Sequence, residues 1–146
     1  MFVSAFFGLL DLRSGNLACV NAGLNSPLLY RKSETRFDFL PQSNNLTLGV
    51  IQDFPFSRQV FSFAPGDVLF LYTDGLTEAL SDSYVLFAHL RLLDCLNRSH
   101  ANDFMSLFSV VRFSLAHHLG HCVQSDDITM LAITWNGKRT LDSIRN

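Results

Sequence analysis

The stretch Val68-Leu69-Phe70-Leu71-Tyr72-Thr73-Asp74-Gly75-Leu76-Thr77-Glu78-Ala79 constrains this chain more than any other. It opens on a near-continuous apolar run, the pattern of a strand buried on both faces. Pro65-Gly66-Asp67, just ahead of it, is turn chemistry. The run stops at Asp74-Gly75, where glycine is expected to bend the backbone and leave a carboxylate at the strand's end. An Asp-Gly pair alone is an ordinary turn. A second acidic cluster gives it weight, because Ser125-Asp126-Asp127-Ile128-Thr129 leads into another apolar strand, Met130 to Trp135. If the two strands are antiparallel neighbours, Asp74 and Asp126 meet at one edge of a sheet.

The 146 residues suit one domain with a substantial core. Hydrophobic residues make up 48%, charged residues only 16%, and 14 are Phe, which argues for a packed chain and against disorder. A net charge of −2 without a basic run does not indicate a phosphate-backbone surface, so no nucleic acid is expected as a partner. The three cysteines, Cys19, Cys95 and Cys122, show no C-x-x-C spacing and read as reduced, mostly buried thiols of a cytoplasmic protein. Met1 to Leu10 is apolar, but Asp11 ends it far short of the about 20 residues a membrane span needs. It reads as a strand.

Phe2 to Leu12 is expected to turn through Arg13-Ser14-Gly15-Asn16 into Leu17 to Val20. Leu28 to Arg31 and Phe37 to Leu40 form a short hairpin, Pro41 to Pro55 an irregular connection, and Gln59 to Ala64 the strand before the central one. After Ala79 the period changes. Val85, Leu86, Ala88, Leu90, Leu92, Leu93 and Leu96 predict a helix over 84–97. Phe104, Leu107, Phe108, Val111, Leu115 and Leu119 predict a second over 102–119, with Asn102 as N-cap and Gly120 at its stop. His117, His118 and His121 gather there, where zinc ligation is conceivable but cations favoured by a helix C-terminus are the commoner case.

The expected core is Phe61, Phe63, Leu69, Leu71, Ile128, Met130 and Ile133 or their immediate neighbours. Both helices should cover a sheet face through Leu86, Leu90, Phe104, Leu107 and Val111. Asn136 to Asn146 reads as a polar tail, so the domain is placed at 1–135.

Converging carboxylates repel one another unless a cation lies between them. Hard divalent ions such as Mg²⁺ and Mn²⁺ take oxygen ligands, and a pair of them activates water for in-line attack on phosphorus. No Ser, Cys or His nucleophile stands out. A haloacid-dehalogenase arrangement would need a nucleophilic Asp two residues before Asp74. That position is Tyr72, whose hydroxyl cannot form an acyl phosphate.

Phe70 to Ala79, together with Ser125 to Thr129, resembles the PPM-type metal-dependent protein phosphatases. The likeness is nearest to their bacterial, SpoIIE-like branch, which regulates sigma-factor partner switching. Phe2 to Asp11, Gly15, Val20-Asn21-Ala22-Gly23 and Pro65-Gly66-Asp67 match that branch in order. The resemblance implies an α+β fold, a β-sandwich flanked by helices, with a Mn²⁺/Mg²⁺ pair at one edge. Asp74 and Asp126 fall on its metal-binding, catalytic aspartates, while Gly75, Glu78 and Asp127 take supporting roles. Asp127 stands where relatives often carry Asn, and Leu24 and Ser26 replace a His and a Pro.

The family's domain also begins with an Asp-containing, Gly-rich metal motif and a helix, and neither has a counterpart here. The chain is thus expected to be the C-terminal part of such a domain. Its sheet edges and apolar faces would be open to self-association or to the missing half. The implied activity is dephosphorylation of phosphoserine or phosphothreonine on an anti-sigma factor antagonist, impaired by the absent motif. The alternative is a catalytically silent remnant or a partner-binding module.

Overall fold

The structure, a computed structural model, describes residues 1–99 and 104–137, with the side chains of Phe104 and Met105 left out. The expected N-cap Asn102 and most of the polar tail lie outside the described residues. Strands β1 (Ala5–Leu10) and β2 (Asn16–Ala22) form one hairpin, and β3 (Leu28–Arg31) and β4 (Arg36–Phe39) another. Strand β5 (Gln59–Ser62) then leads through the Pro65-Gly66-Asp67 turn into β6 (Val68–Tyr72). Helices α1 (Asp74–Thr77), α2 (His89–Arg98) and α3 (Phe104–Leu119) precede the last strand, β7 (Met130–Thr134).

The strands form two antiparallel sheets, ordered β1-β2-β5 and β4-β3-β6-β7. They face each other as a sandwich, and α2 and α3 cover the far face of the four-stranded sheet. Strand β6 sits at the centre and serves both layers, as its unbroken apolar run requires. Leu69 and Leu71 meet Leu17, Cys19, Phe61 and Phe63 inside the sandwich. Phe70 and Tyr72 point the other way, into a core completed by Leu92 and Leu96 of α2 and Leu107, Val111 and Leu115 of α3.

Phe70 is wholly buried, its ring centroid 6.1 Å from those of both Tyr72 and Phe108. Phe70→Ala should destabilise the chain by about 3–5 kcal/mol, the range for emptying a buried aromatic site. Urea unfolding should show this as a lower midpoint at unchanged slope.

Ile128 and Met130 pack against the helix-side core, while Ile133 stays exposed, contrary to expectation. Ile133 pairs with Leu69 and Leu131 with Leu71, so both face the sandwich side. The three-stranded sheet does not reach over edge strand β7, and the two residues line an open crevice of about 230 Å³ with Phe6 and Leu10.

The helix expected over 84–97 begins only at His89, and Leu86 and Leu90 are exposed. Residues 80–88 fold as an irregular arm instead. A Leu80–Leu86 bridge closes it, and hydrogen bonds from Phe87 N to Ala79 O and Ala88 N to Thr77 O pin it. Tyr84 and Ala88 adopt φ of 58° and 62°, which no α-helix permits. His118 holds the arm down through a 2.9 Å bond from Nε2 to Val85 O and contacts with Arg91 and the Phe87 ring. His121 N and Cys122 Sγ both donate to Asp82 of the same arm.

The opening strand is regular only from Ala5, with Val3 bridging to Leu48 in the long connection. On the outer face of the three-stranded sheet Phe7, Leu9 and Val60 are exposed side by side, as the pairings Phe7–Val20, Leu9–Ala18 and Ala18–Val60 dictate. Cys19 and Cys95 are buried free thiols whose pKa burial raises. No helix among the described residues is long and apolar enough to cross a membrane.

Candidate metal centre

Strands β6 and β7 are antiparallel neighbours, and their register ends with Tyr72 opposite Met130. The ladder runs one step further, with Thr73 N donating to Thr129 O at 3.1 Å. The Thr73 hydroxyl then staples the two segments. It accepts from Thr129 N at 3.0 Å and donates to Asp127 O at 3.2 Å. A Thr facing a Thr across an antiparallel pair was the available sequence signal for this staple, once the pairing is assumed.

Past Thr73 the chain does not turn away but enters α1, whose first residue is Asp74. Thr77 Oγ1 donates to Asp74 O at 3.2 Å and Glu78 N donates to it at 2.8 Å, closing the helical turn. Gly75 therefore acts otherwise than expected. Its φ is not in the left-handed region, so the residue is not there to bend the chain. What it supplies is a missing side chain. A Cβ at this buried position would collide with the carbonyl oxygen of Asp127 and lie 3.1 Å from its carbonyl carbon and 3.4 Å from that of Asp126. The backbone at Gly75 thus packs directly on the backbone that carries the second acidic cluster.

This packing brings Asp74 and Asp126 to the same end of the four-stranded sheet. Asp74 Oδ1 accepts from Gly75 N at 3.0 Å, and Asp126 Oδ1 accepts from Asp127 N at 2.7 Å. Each carboxylate is exposed and keeps its second oxygen without a hydrogen-bond partner among the described residues. Each carboxylate therefore offers one spare hard oxygen of the kind that Mg²⁺ and Mn²⁺ take. Asp127 meets α1 through its main chain, and Glu78 lies exposed at the end of α1. No group of three or more His, Cys, Asp or Glu is arranged to hold a metal among the described residues.

Tyr72, two residues before Asp74, is buried and hydrogen-bonded at 2.9 Å to His89 Nδ1. Burial raises its phenol pKa, so the hydroxyl stays protonated in the core.

The family profile of Stage II sporulation protein E (SpoIIE) matches residues 1–136. Protein IcfG of Synechocystis sp. is 32% identical over 136 residues, covering 93% of this chain and 21% of IcfG. The fold matches the phosphatase domain of the cell-fate determinant SpoIIE from Bacillus subtilis, solved from a manganese-presoaked crystal. The TM-score is 0.72 at 14% identity, over 94% of this chain and 58% of that one. It likewise matches the SiaA PP2C domain of Pseudomonas aeruginosa, with a TM-score of 0.73 at 24% identity over 90% of this chain and 51% of that one. The chain thus spans about a fifth of its sequence relative and little more than half of these domains. With its Thr73-Asp74-Gly75 strand end set against Asp126, the chain belongs to the SpoIIE family of PPM-type (PP2C) phosphatase domains.

Proposed function

We propose that the chain is a metal-dependent phosphoserine/phosphothreonine phosphatase segment in which Asp74 and Asp126 are the metal-binding, catalytic carboxylates. The observation that carries this reading is the packing of Gly75 on Asp126 and Asp127, which sets two half-engaged carboxylates at one sheet end. Mn²⁺ or Mg²⁺ bound there would supply activated water and neutralise phosphoryl charge. The protein's own part is positional. Thr73 fixes the spacing of the two segments, and the Gly75 and Asp127 main-chain amides orient one oxygen of each aspartate. Gly75, Asp127 and Glu78 are read as supporting residues.

The substrate we propose, from the family, is a phosphorylated anti-sigma factor antagonist met in the cytoplasm. The exposed Phe7, Leu9 and Val60 face offers a seat for the N-terminal half of such a domain or for a second copy.

Two aspartates are few ligands for an ion that dehydrates reluctantly, and this favours a weakened centre. The 146-residue chain alone should therefore bind Mn²⁺ weakly by calorimetry and hydrolyse p-nitrophenyl phosphate slowly but in a Mn²⁺-dependent way. Supplying the N-terminal half of a relative should raise both together, since binding and assembly are linked. Asp74→Asn and Asp126→Asn should each lower the Mn²⁺-dependent rate by more than the about 10–100-fold that losing an outer partner costs. Turnover indifferent to Asp74 would refute the assignment. A chain without Mn²⁺-dependent turnover, even when supplemented, would instead be the silent partner-binding module.

A further inference from the structure

An uncharged groove runs beside the candidate centre. Its larger part encloses about 420 Å³, with Leu24, Phe39 and Leu40 forming an apolar wall. Asn25, Ser26, Gln42 and His89 supply the polar side. A second cleft of about 190 Å³ shares Leu24, Ser26 and Gln42 and continues past Ser43 and Asn45, so the two form one elongated channel. No Lys, Arg, Asp or Glu lines either part.

The near end of this groove reaches α1, the helix that begins at Asp74. Asn25 Nδ2 donates to Thr77 Oγ1 at 3.4 Å, and that hydroxyl donates to the Asp74 carbonyl at 3.2 Å. Thr77 follows Asp74 by three residues, a helical rise of about 4.5 Å. The groove's loop is held rigid by the Asn21 side chain, which accepts from Leu24 N and donates to Leu24 O, both at 2.9 Å. Tyr72 Oη and His89 Nδ1 share a hydrogen bond at 2.9 Å, which fixes the imidazole at the groove's edge. The side chains of Ser26 and Gln42 have no partner among the described residues.

We propose that this groove holds the peptide chain flanking the phosphorylated residue of a protein substrate, with an apolar side chain seated on Leu24, Phe39 and Leu40. The proposal rests on the phosphatase reading above. A phosphate or nucleotide would find no cation in the groove, so the phosphoryl group belongs at the aspartates. Gln42, Ser26 and His89 instead match the N–H and C=O groups of an extended backbone. At about 3.3 Å per residue, two or three residues of such a chain span the turn of α1 that carries both Asp74 and Thr77.

The test uses the 146-residue chain with Mn²⁺ and fluorescent phosphoserine peptides of randomised flanks, read by anisotropy. Hydrolysis of p-nitrophenyl phosphate, which has no flank, is followed in parallel. Binding should favour peptides with an apolar residue beside the phosphoserine. Leu24→Asp and the exposed Gln42→Ala should each weaken it about tenfold, or 1.4 kcal/mol, with unchanged circular dichroism melting. Absent binding, or binding indifferent to both substitutions, would overturn the proposal and leave the groove to another occupant. Binding that tracks the groove while p-nitrophenyl phosphate is not hydrolysed, even with the N-terminal half of a relative supplied, would refute the phosphatase reading and uphold the peptide site.

Discussion

Replacing Gly75 with alanine is expected to cut Mn²⁺-dependent hydrolysis about 100-fold while leaving most of the fold in place. Two effects oppose each other at this position. Alanine is the better helix former by about 1 kcal/mol, and Gly75 has an ordinary negative φ inside α1, so propensity alone favours the substitution. Against it stands the overlap of the new methyl with the Asp127 carbonyl and its closeness to Asp126. Those are main-chain atoms held by Thr73 on both sides, so they cannot swing aside as a flexible side chain would.

Overpacking of this kind costs about 1–3 kcal/mol, which meets or exceeds the propensity gain. Relief comes from pushing residues 126–127 off α1. A displacement of about 1 Å between catalytic groups is enough for the expected loss of rate. Mn²⁺ titration should show affinity falling in parallel, while near-ultraviolet circular dichroism keeps its native shape. A Gly75→Ala chain with wild-type affinity and rate would show that the close approach does not position Asp126.

Features with local causes were legible in the sequence. The apolar run of β6 and the alternation of β2 and β5 have a strand's period, while Gly15 and Gly66 mark turns by their positive φ and Pro65 by its fixed one. The acidic pair was legible because each aspartate flanks such a strand. The start of α2 was not. Val85, Leu86, Ala88 and Leu90 mimic a helical face, yet the arm's backbone donors are already taken by Ala79 O and Thr77 O, partners that no local window contains. Ile133 shows a related limit. Its parity along β7 is right, but burial depends on whether another layer extends over an edge strand. Gly75 was read as a bend because Asp-Gly usually is one, and only the packed backbone behind it reveals the need for a bare Cα.

Asp67 was read as part of a turn, and its substitution should have the largest effect on stability after the aromatic core. The residue is fully buried where the chain crosses from β5 in one sheet to β6 in the other. Its carboxylate closes the turn by accepting from Ala64 N at 2.9 Å, and it takes Lys32 N at 2.9 Å and the Arg31 guanidinium at 2.8 Å from the β3–β4 hairpin. Arg31 also donates to Ser62 O at the end of β5, so one ion pair ties both sheets together. Asp67→Ala strands two backbone N–H groups and a guanidinium that is only one-third exposed. Breaking a buried pair from one side costs about 3–5 kcal/mol, and the lower end applies because water still reaches Arg31.

About 3 kcal/mol corresponds to a fall in Tm of roughly 10 °C for a domain of this size. Arg31→Met should cost less than Asp67→Ala, since both backbone donors would keep their acceptor. The double variant should cost less than the sum of the two, because the second change removes a partner already orphaned. Thermal unfolding of the three variants measures all of this. Strict additivity would mean that Arg31 and Asp67 stabilise the crossing independently, and the sheets would then be joined by apolar packing alone.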